Sequence, residues 1–349
     1  MKRFKIFMVG FLAFLIVQFG VLVFLETEYF TDDADYSSTK VENTTTTAPQ
    51  KPKLVFEDGS TNVSASFDGN YISYLKDNNL LILNTEETYK IQVSPETGMS
   101  ITYYKWIYDR NRLIIAERPA DYNNGAYFKL YYYDVESKNK VEIFNEVNNK
   151  SIRIPLYNSN EKISTIDMST LTNVIFVKLD GAYNTSRIYS INIMAQEKNI
   201  NTVTHYIGKI VSTKKDDILL YEDFINKKVY RNDNNSVVAI DGKTNLSLVG
   251  IDSKDNVYLA LTENNKTKVI YYGNITNGTW TKADLKKEEI AADVYVNFKG
   301  QIFIKDNGKS IINELGTGKG TYCNGQVLDL YENGVITEKN GEIIKNSYE

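Results

Sequence analysis

The sequence predicts an all-β fold, a β-propeller of about six four-stranded blades with seven as the alternative, preceded by one N-terminal transmembrane helix. Three observations carry this. Short apolar runs rich in β-branched and aromatic residues recur from residue 54 onward at a spacing of about 40 to 50 residues, the period of propeller blades. Turn residues separate the runs, and outside the first thirty residues no helical periodicity is sustained.

The first unit shows the pattern most clearly. Residues 71–75 (YISYL) and 80–84 (LLILN) flank the turn tetrad Lys76-Asp77-Asn78-Asn79, the signature of a β-hairpin. Phe67-Asp68-Gly69-Asn70 supplies a second tight turn just before it, because Gly and Asn accept left-handed backbone. Three strands therefore meander through residues 64–84.

Four more units follow. The second has runs at 101–106, 112–116, 128–133 and 140–144. A third has 164–168, 174–178 and 187–191, and a fourth 208–211, 218–221, 228–230 and 237–240. The fifth has 248–251, 257–261, 268–272 and the region of Trp280. A last unit is expected from 294–296, 301–304, 310–312 and 326–330, leaving 334–337 and 342–344 as an extra hairpin or a ring-closing strand. Closure into a ring would leave only short, protected sheet edges.

Ahead of the repeats, Ile6 to Leu25 is a run in which only Gln18 is plainly polar, and about twenty apolar residues suffice to cross a bilayer. Lys2, Arg3 and Lys5 precede it, and Glu26, Glu28, Asp32, Asp33 and Asp35 follow, which places the N-terminus in the cytoplasm and the remainder outside. The run ends Val23-Phe24-Leu25-Glu26 without a small-x-small site, and no cysteine follows that could carry a lipid. An uncleaved signal anchor is expected, with a cleaved signal peptide as the alternative. The expected organisation is a cytoplasmic stub at 1–5, the anchor at 6–25, an extracytoplasmic linker at 26–53 and the propeller at 54–349. As a flexible coil of ~5 to 6 Å times the square root of its length, the linker would reach roughly 30 Å.

Composition narrows the function. The net charge is -4, and no Lys/Arg cluster forms a basic face, which argues against nucleic acid. A single cysteine, Cys323, leaves the domain to be held by apolar burial rather than by disulfides. The abundance of Asn, Lys and Ile suits an AT-rich bacterial coding bias, so sequons such as Asn62-Val63-Ser64 and Asn274-Ile275-Thr276 read as by-products of that abundance.

The residues of the first unit also carry a resemblance. Ser66-Phe67-Asp68-Gly69-Asn70-Tyr71-Ile72-Ser73-Tyr74, followed by Leu81-Ile82-Leu83-Asn84, resembles the WD40-like repeat of TolB-type propellers, found also in the propeller domain of dipeptidyl peptidase IV. Residues 108–115 and 130–134 echo it, and Asp252-Ser253-Lys254-Asp255-Asn256 keeps its turn. Phe67 stands where the repeat usually has Pro. The resemblance implies a propeller with an extracytoplasmic habit and no particular substrate.

No catalytic, cofactor-binding or metal residue is expected. His205 is the only histidine, and a packed or exposed histidine in a sheet explains it better than a catalytic base. No G-x-S-x-G elbow occurs and no hydrolase domain follows, so the peptidase activity of the dipeptidyl peptidases is not implied. Gly308-Lys309-Ser310 and Gly316-Thr317-Gly318-Lys319-Gly320 lack the first glycine of a phosphate loop and read as turns. Asp252, Asp255 and Asn256 lack EF-hand spacing and read as turn residues bonding their own backbone. Glu117 and Asp121 are the carboxylates to inspect for glycan cleavage, although a solvated loop explains them too. The aromatic runs 103–106 and 131–133 could stack on a sugar or peptide, yet alternation along a strand divides them between opposite faces, and core packing is favoured. The expected function is a non-enzymatic binding or scaffold module for an envelope protein, peptide or glycan, acting through loops at one mouth of the ring. A glycan hydrolase or lyase using mouth carboxylates is the alternative, and a sensor for a separate transmembrane signalling protein is a third reading.

Overall fold

The computed structural model describes residues 2–28 and 54–348, except 88, 123, 124, 307–310, 315–319 and 324. The linker and both glycine-lysine turns therefore lie largely outside the described residues.

A single helix, Lys2–Glu28, forms the first compact unit, and its end at Glu28 runs three residues past the expected anchor boundary. Its described side chains are Met8, Phe11, Leu12 and residues 14–24, all exposed. Taken over the described residues, no helix is long and apolar enough to cross a membrane, so the expected span over residues 6–25 rests on the sequence.

In the second unit, from Pro52 onward, the sheets are antiparallel throughout, with short 3-10 turns at Ala182–Asn184 and Ala291–Asp293. Seven sheets of three or more strands succeed one another among the described residues, which brings the expected blade count to its upper value. Their innermost strands are Thr61–Ala65, Met99–Trp106, Lys162–Ser169, Ile207–Ser212, Leu246–Ile251, Val294–Val296 and Gln326–Tyr331. The sheets are meanders of neighbouring strands, except that Ile154–Pro155 returns to pair with Tyr127–Asp134 in the second sheet and Val55 bridges Glu342 in the seventh.

The difference from a six-sheet count lies at the C-terminus. Residues 326–330, expected as the last strand of the sixth unit, form the innermost strand of a seventh sheet with Gly334–Lys339 and Glu342–Ser347. Gly320–Tyr322 takes the outer place in the sixth sheet instead. The seventh sheet is completed from the other end of the domain. Val55 bridges Glu342, the Phe56 amide donates to Gly341 at 3.2 Å, and the Ile343 amide donates to Leu54 at 2.8 Å. In the fourth sheet, residues 237–240 make only isolated bridges at Val237 and Ile240 rather than a fourth strand.

Seven apolar clusters fill the seven sheet-to-sheet interfaces. Alternation along the strands builds them. Tyr104, Trp106, Tyr131 and Tyr133 pack between the first and second sheets, whereas Tyr103 and Tyr132, on the opposite face, pack between the second and third. The aromatic runs are thus mostly core, as expected. Cys323 is buried with Phe303 and Val335 between the sixth and seventh sheets.

Candidate functional site

Each innermost strand leads into a turn at the same end of the ring, and these turns bond to one another. Asn111 Nδ2 donates to Asp68 at 3.0 Å, Tyr108 Oη to Asp167 at 3.1 Å, and the Leu171 amide to the Lys214 carbonyl at 3.1 Å. The Lys214 amide donates to Asp255 at 2.6 Å and the Ser253 amide to Phe298 at 2.8 Å. Asn297 Nδ2 then donates to Glu332 at 3.3 Å, and the Glu332 amide to Phe67 at 2.8 Å. These bonds pass through all seven sheets and return to the first, which closes the mouth.

The Asp-Gly-Asn motif supports this mouth structurally. Asp68 Oδ1 accepts from Ser66 Oγ (2.6 Å) and the Asn70 amide (2.9 Å), and its other oxygen accepts from Asn70 Nδ2 and Asn111 Nδ2. Burial opposes ionisation of Asp68, but these donors outweigh it and hold the carboxyl below its ordinary range. Asp252 repeats the arrangement, accepting from the Lys254 and Asn256 amides at 2.9 Å and from Asn256 Nδ2 at 2.9 Å. Asp255 instead serves the neighbouring sheet through Lys214. Asp252 thus bonds the backbone of its own turn, as expected, whereas Asp255 bonds backbone of the fourth sheet.

Inside the mouth lies a cavity of about 170 Å³ lined from five sheets, with Phe67, Lys105, Tyr108, Phe298, Asp329 and Tyr331 in its wall. The rings of Tyr108 and Phe298 lie nearly parallel, 6° apart in plane with centroids 6.5 Å apart. Lys105 Nζ stands 5.2 Å, and Lys214 Nζ 3.9 Å, from the Tyr108 ring centroid. Lys209, from the fourth sheet, joins the same electrostatic neighbourhood and donates to the Val249 carbonyl.

The carboxylates of this region are already engaged. Asp167 accepts from Tyr108 Oη, from the Met168 amide at 3.0 Å and from the Ser212 amide at 2.6 Å. Asp329 accepts from Ser64 Oγ at 2.7 Å, the Ala65 amide at 2.9 Å and the Leu330 amide at 2.8 Å. Three backbone or hydroxyl donors thus engage each group, and among the described residues no lysine ammonium forms an ion pair with either. Lys214 is 6% exposed, and its Nζ has no hydrogen-bond partner among the described residues. Burial lowers its pKa, offset in part by Asp167. Lys209 is exposed, yet protein crowds around it, and that desolvation lowers its pKa against the pull of Glu222. Lys105 is shifted upward, first by Tyr108 and then, against burial, by Tyr103, Asp167 and Asp329. Burial, followed by Asp167, pushes the Tyr108 phenol up.

The residues inspected for chemistry lie elsewhere. Glu117 is fully buried in the strand Arg112–Pro119, which runs away from the mouth; it pairs with Lys140 and accepts from the Glu96 amide at 3.0 Å. Asp121 is exposed on the loop beyond that strand. His205 is exposed, and its carbonyl accepts from the Ser186 amide at 2.6 Å. Sequence reasoning missed Lys105, Lys214 and Tyr108. The available signal was a charged residue among apolar neighbours near the end of an innermost strand, as at Lys105, Asp167 and Asp329.

The fold is a β-propeller. Among solved structures, a chain of the mitotic checkpoint complex matches with a TM-score of 0.50 at 12% identity, over 89% of this chain and 99% of that one. KlHsv2 with its loop 6CD replaced by a Gly-Ser linker matches at a TM-score of 0.49 and 10% identity, over 82% of this chain and 89% of that one. Dipeptidyl peptidase 4 of Porphyromonas gingivalis matches at 0.40 and 14% identity, over 82% of this chain and 45% of that one. At such identities the first likeness speaks to the fold alone, and the other two fall below the similarity needed to add to it. No family model matches, and no curated protein matches.

Proposed function

We propose that this propeller is a non-enzymatic binding module, held at the outer face of the cytoplasmic membrane by its N-terminal helix, that engages an envelope protein, peptide or glycan at the axial mouth. The observation that carries it is the mouth itself. Phe67, Tyr108 and Phe298 present aromatic surface there beside the ammoniums of Lys105 and Lys214, neither of which forms a salt bridge among the described residues. Such convergent apolar and polar groups in a concave site are what a ligand needs.

Anchoring is supported by the charge asymmetry around residues 6–25 and by the exposed apolar side chains at 11, 12 and 14–17, which pass right around the helix. The enzymatic alternative has less support. The mouth carboxylates Asp167 and Asp329 already accept from protein hydroxyls and backbone amides, which occupy oxygens that a glycosidic bond or water would have to meet.

The test is site-specific photo-crosslinking in intact cells, with the crosslinker at Phe67 in the mouth or at exposed Lys198 on the rim of the third sheet. An adduct formed in the membrane fraction from position 67 and absent from position 198 is the expected result. Equal labelling at both positions, or recovery of the protein outside the membrane fraction, would count against it.

A further inference from the structure

The lysines of the mouth suggest what part of a ligand it receives. An ammonium buried without a hydrogen-bond partner is costly, and buried charges are as a rule paired. Lys214 is that case. Its backbone is fixed on both sides, the amide to Asp255 and the carbonyl to Leu171 and Ser169, so the side chain cannot swing out without breaking the ring of turn bonds. Its Nζ rests on the face of Tyr108 at 3.9 Å, and Lys105 Nζ reaches the same ring at 5.2 Å. The Tyr108 hydroxyl is committed to Asp167, which fixes the ring that both cations approach.

Resting on the binding function proposed above, we propose that Lys105 and Lys214 form a carboxylate-binding site over Tyr108, with the body of the ligand lying against Phe67 and Phe298 in the cavity. A carboxylate is preferred over a phosphate dianion because negative charge already stands nearby, from Asp167 at both lysines, from Asp329 at Lys105 and from Asp255 and Asp109 at Lys214. A single added negative charge meets less repulsion from these carboxylates than a dianion would. The site has no arginine fork, so it would act as a pair of point charges and leave shape selection to the aromatic walls.

The test uses the full-length protein in detergent and follows thermal unfolding in sodium acetate, sodium phosphate and sodium chloride at equal ionic strength. A ligand that binds only the native state raises the midpoint by mass action; at tenfold excess over its dissociation constant the expected rise is about 2 to 4 °C. Acetate should produce it beyond chloride. Lys214→Met, which removes the unpaired ammonium and keeps the stem, should unfold no lower than wild type in chloride and should lose the acetate effect. Lys105→Met provides a second variant if the first folds poorly, and exposed Lys198→Met should keep the effect. An acetate response equal to chloride, or one that survives both mouth substitutions, would overturn the site. A response to phosphate without one to acetate would overturn the carboxylate assignment. The two proposals fail separately: a crosslink at position 67 that persists in Lys214→Met, with no acetate response in wild type, leaves the binding module standing and removes this site.

Discussion

At Gly69 the backbone has φ +70°, and a Cβ there would sit 2.7 Å from the Tyr331 ring of the seventh sheet. Both the conformation and the contact exclude a side chain. Gly69→Ala is therefore expected to lower stability by about 1–3 kcal/mol in urea unfolding, with part of the loss restored when Tyr331 is also cut back. Glu57 shows a different residue-scale effect. Hydrogen bonds from Lys76, at 2.8 Å, and from Lys90 bring its carboxyl from 4.5 down to about 2. A lowered folded-state pKa means that its contribution is fully present above about 4.5 and is lost as pH falls towards 2. Carboxyl NMR titration should place the midpoint near 2, and Lys76→Met should raise it. Because the pair is exposed, the effect on stability should be small and should shrink with salt.

At the scale of elements, the hairpin is legible from sequence to the residue. Lys76 pairs with Asn79, and Asp77 and Asn78 both take positive φ, as a two-residue turn matching the strand twist requires. The aromatic strand Met99–Trp106 is legible in its alternation but not in its polar partners. Trp106 Nε1 donates to Ser73 Oγ at 2.7 Å, and Tyr104 Oη donates to the Ser73 carbonyl at 2.7 Å, joining the first two sheets in a buried interface. Ser73→Ala should leave the indole N–H unpaired and cost about 1–3 kcal/mol. Adding Trp106→Phe should cost less in that background than in wild type, a coupling that a double-mutant cycle would measure. The innermost strands hold what the sequence concealed. Most carry a register shift, at 101/103 and 327/329 for example, and a one-residue slip decides which side chain faces the channel. Strand periodicity alone therefore could not say that Lys105 and Asp329 point inward.

For the whole molecule, closure is the decisive event. The segment 54–56 adds to the last sheet, Phe56 meets Tyr74 edge-on with centroids 5.3 Å apart, and Leu54 and Phe56 pack on the cluster joining the seventh sheet to the first. Phe56→Ala is expected to cost about 2 kcal/mol, below the loss for a fully buried Phe because the ring is half-buried. Unfolding followed by tryptophan fluorescence and by circular dichroism should still coincide in wild type, since the ring of turn bonds couples every sheet to its neighbours. Separate transitions in Phe56→Ala would show that this closing segment maintains the coupling.

The sequence by itself determined the all-β class, the order of the strands, the turns and the apolar N-terminal segment. Those features depend on hydrophobic period, turn chemistry and antiparallel pairing between neighbours, all written within a few tens of residues. Tertiary structure decided the number of blades and the composition of the mouth. Residues 326–330 become an innermost strand in a sheet that residues 54–56 return to complete. Lys105, Lys214 and Asp329 share a site only when the ring closes, and Ser64 and Asp329, 265 residues apart, meet within 2.7 Å for the same reason. No local pattern encodes such contacts, because each strand's choice of face is fixed by the sheet beside it and the last sheet's neighbour is the first.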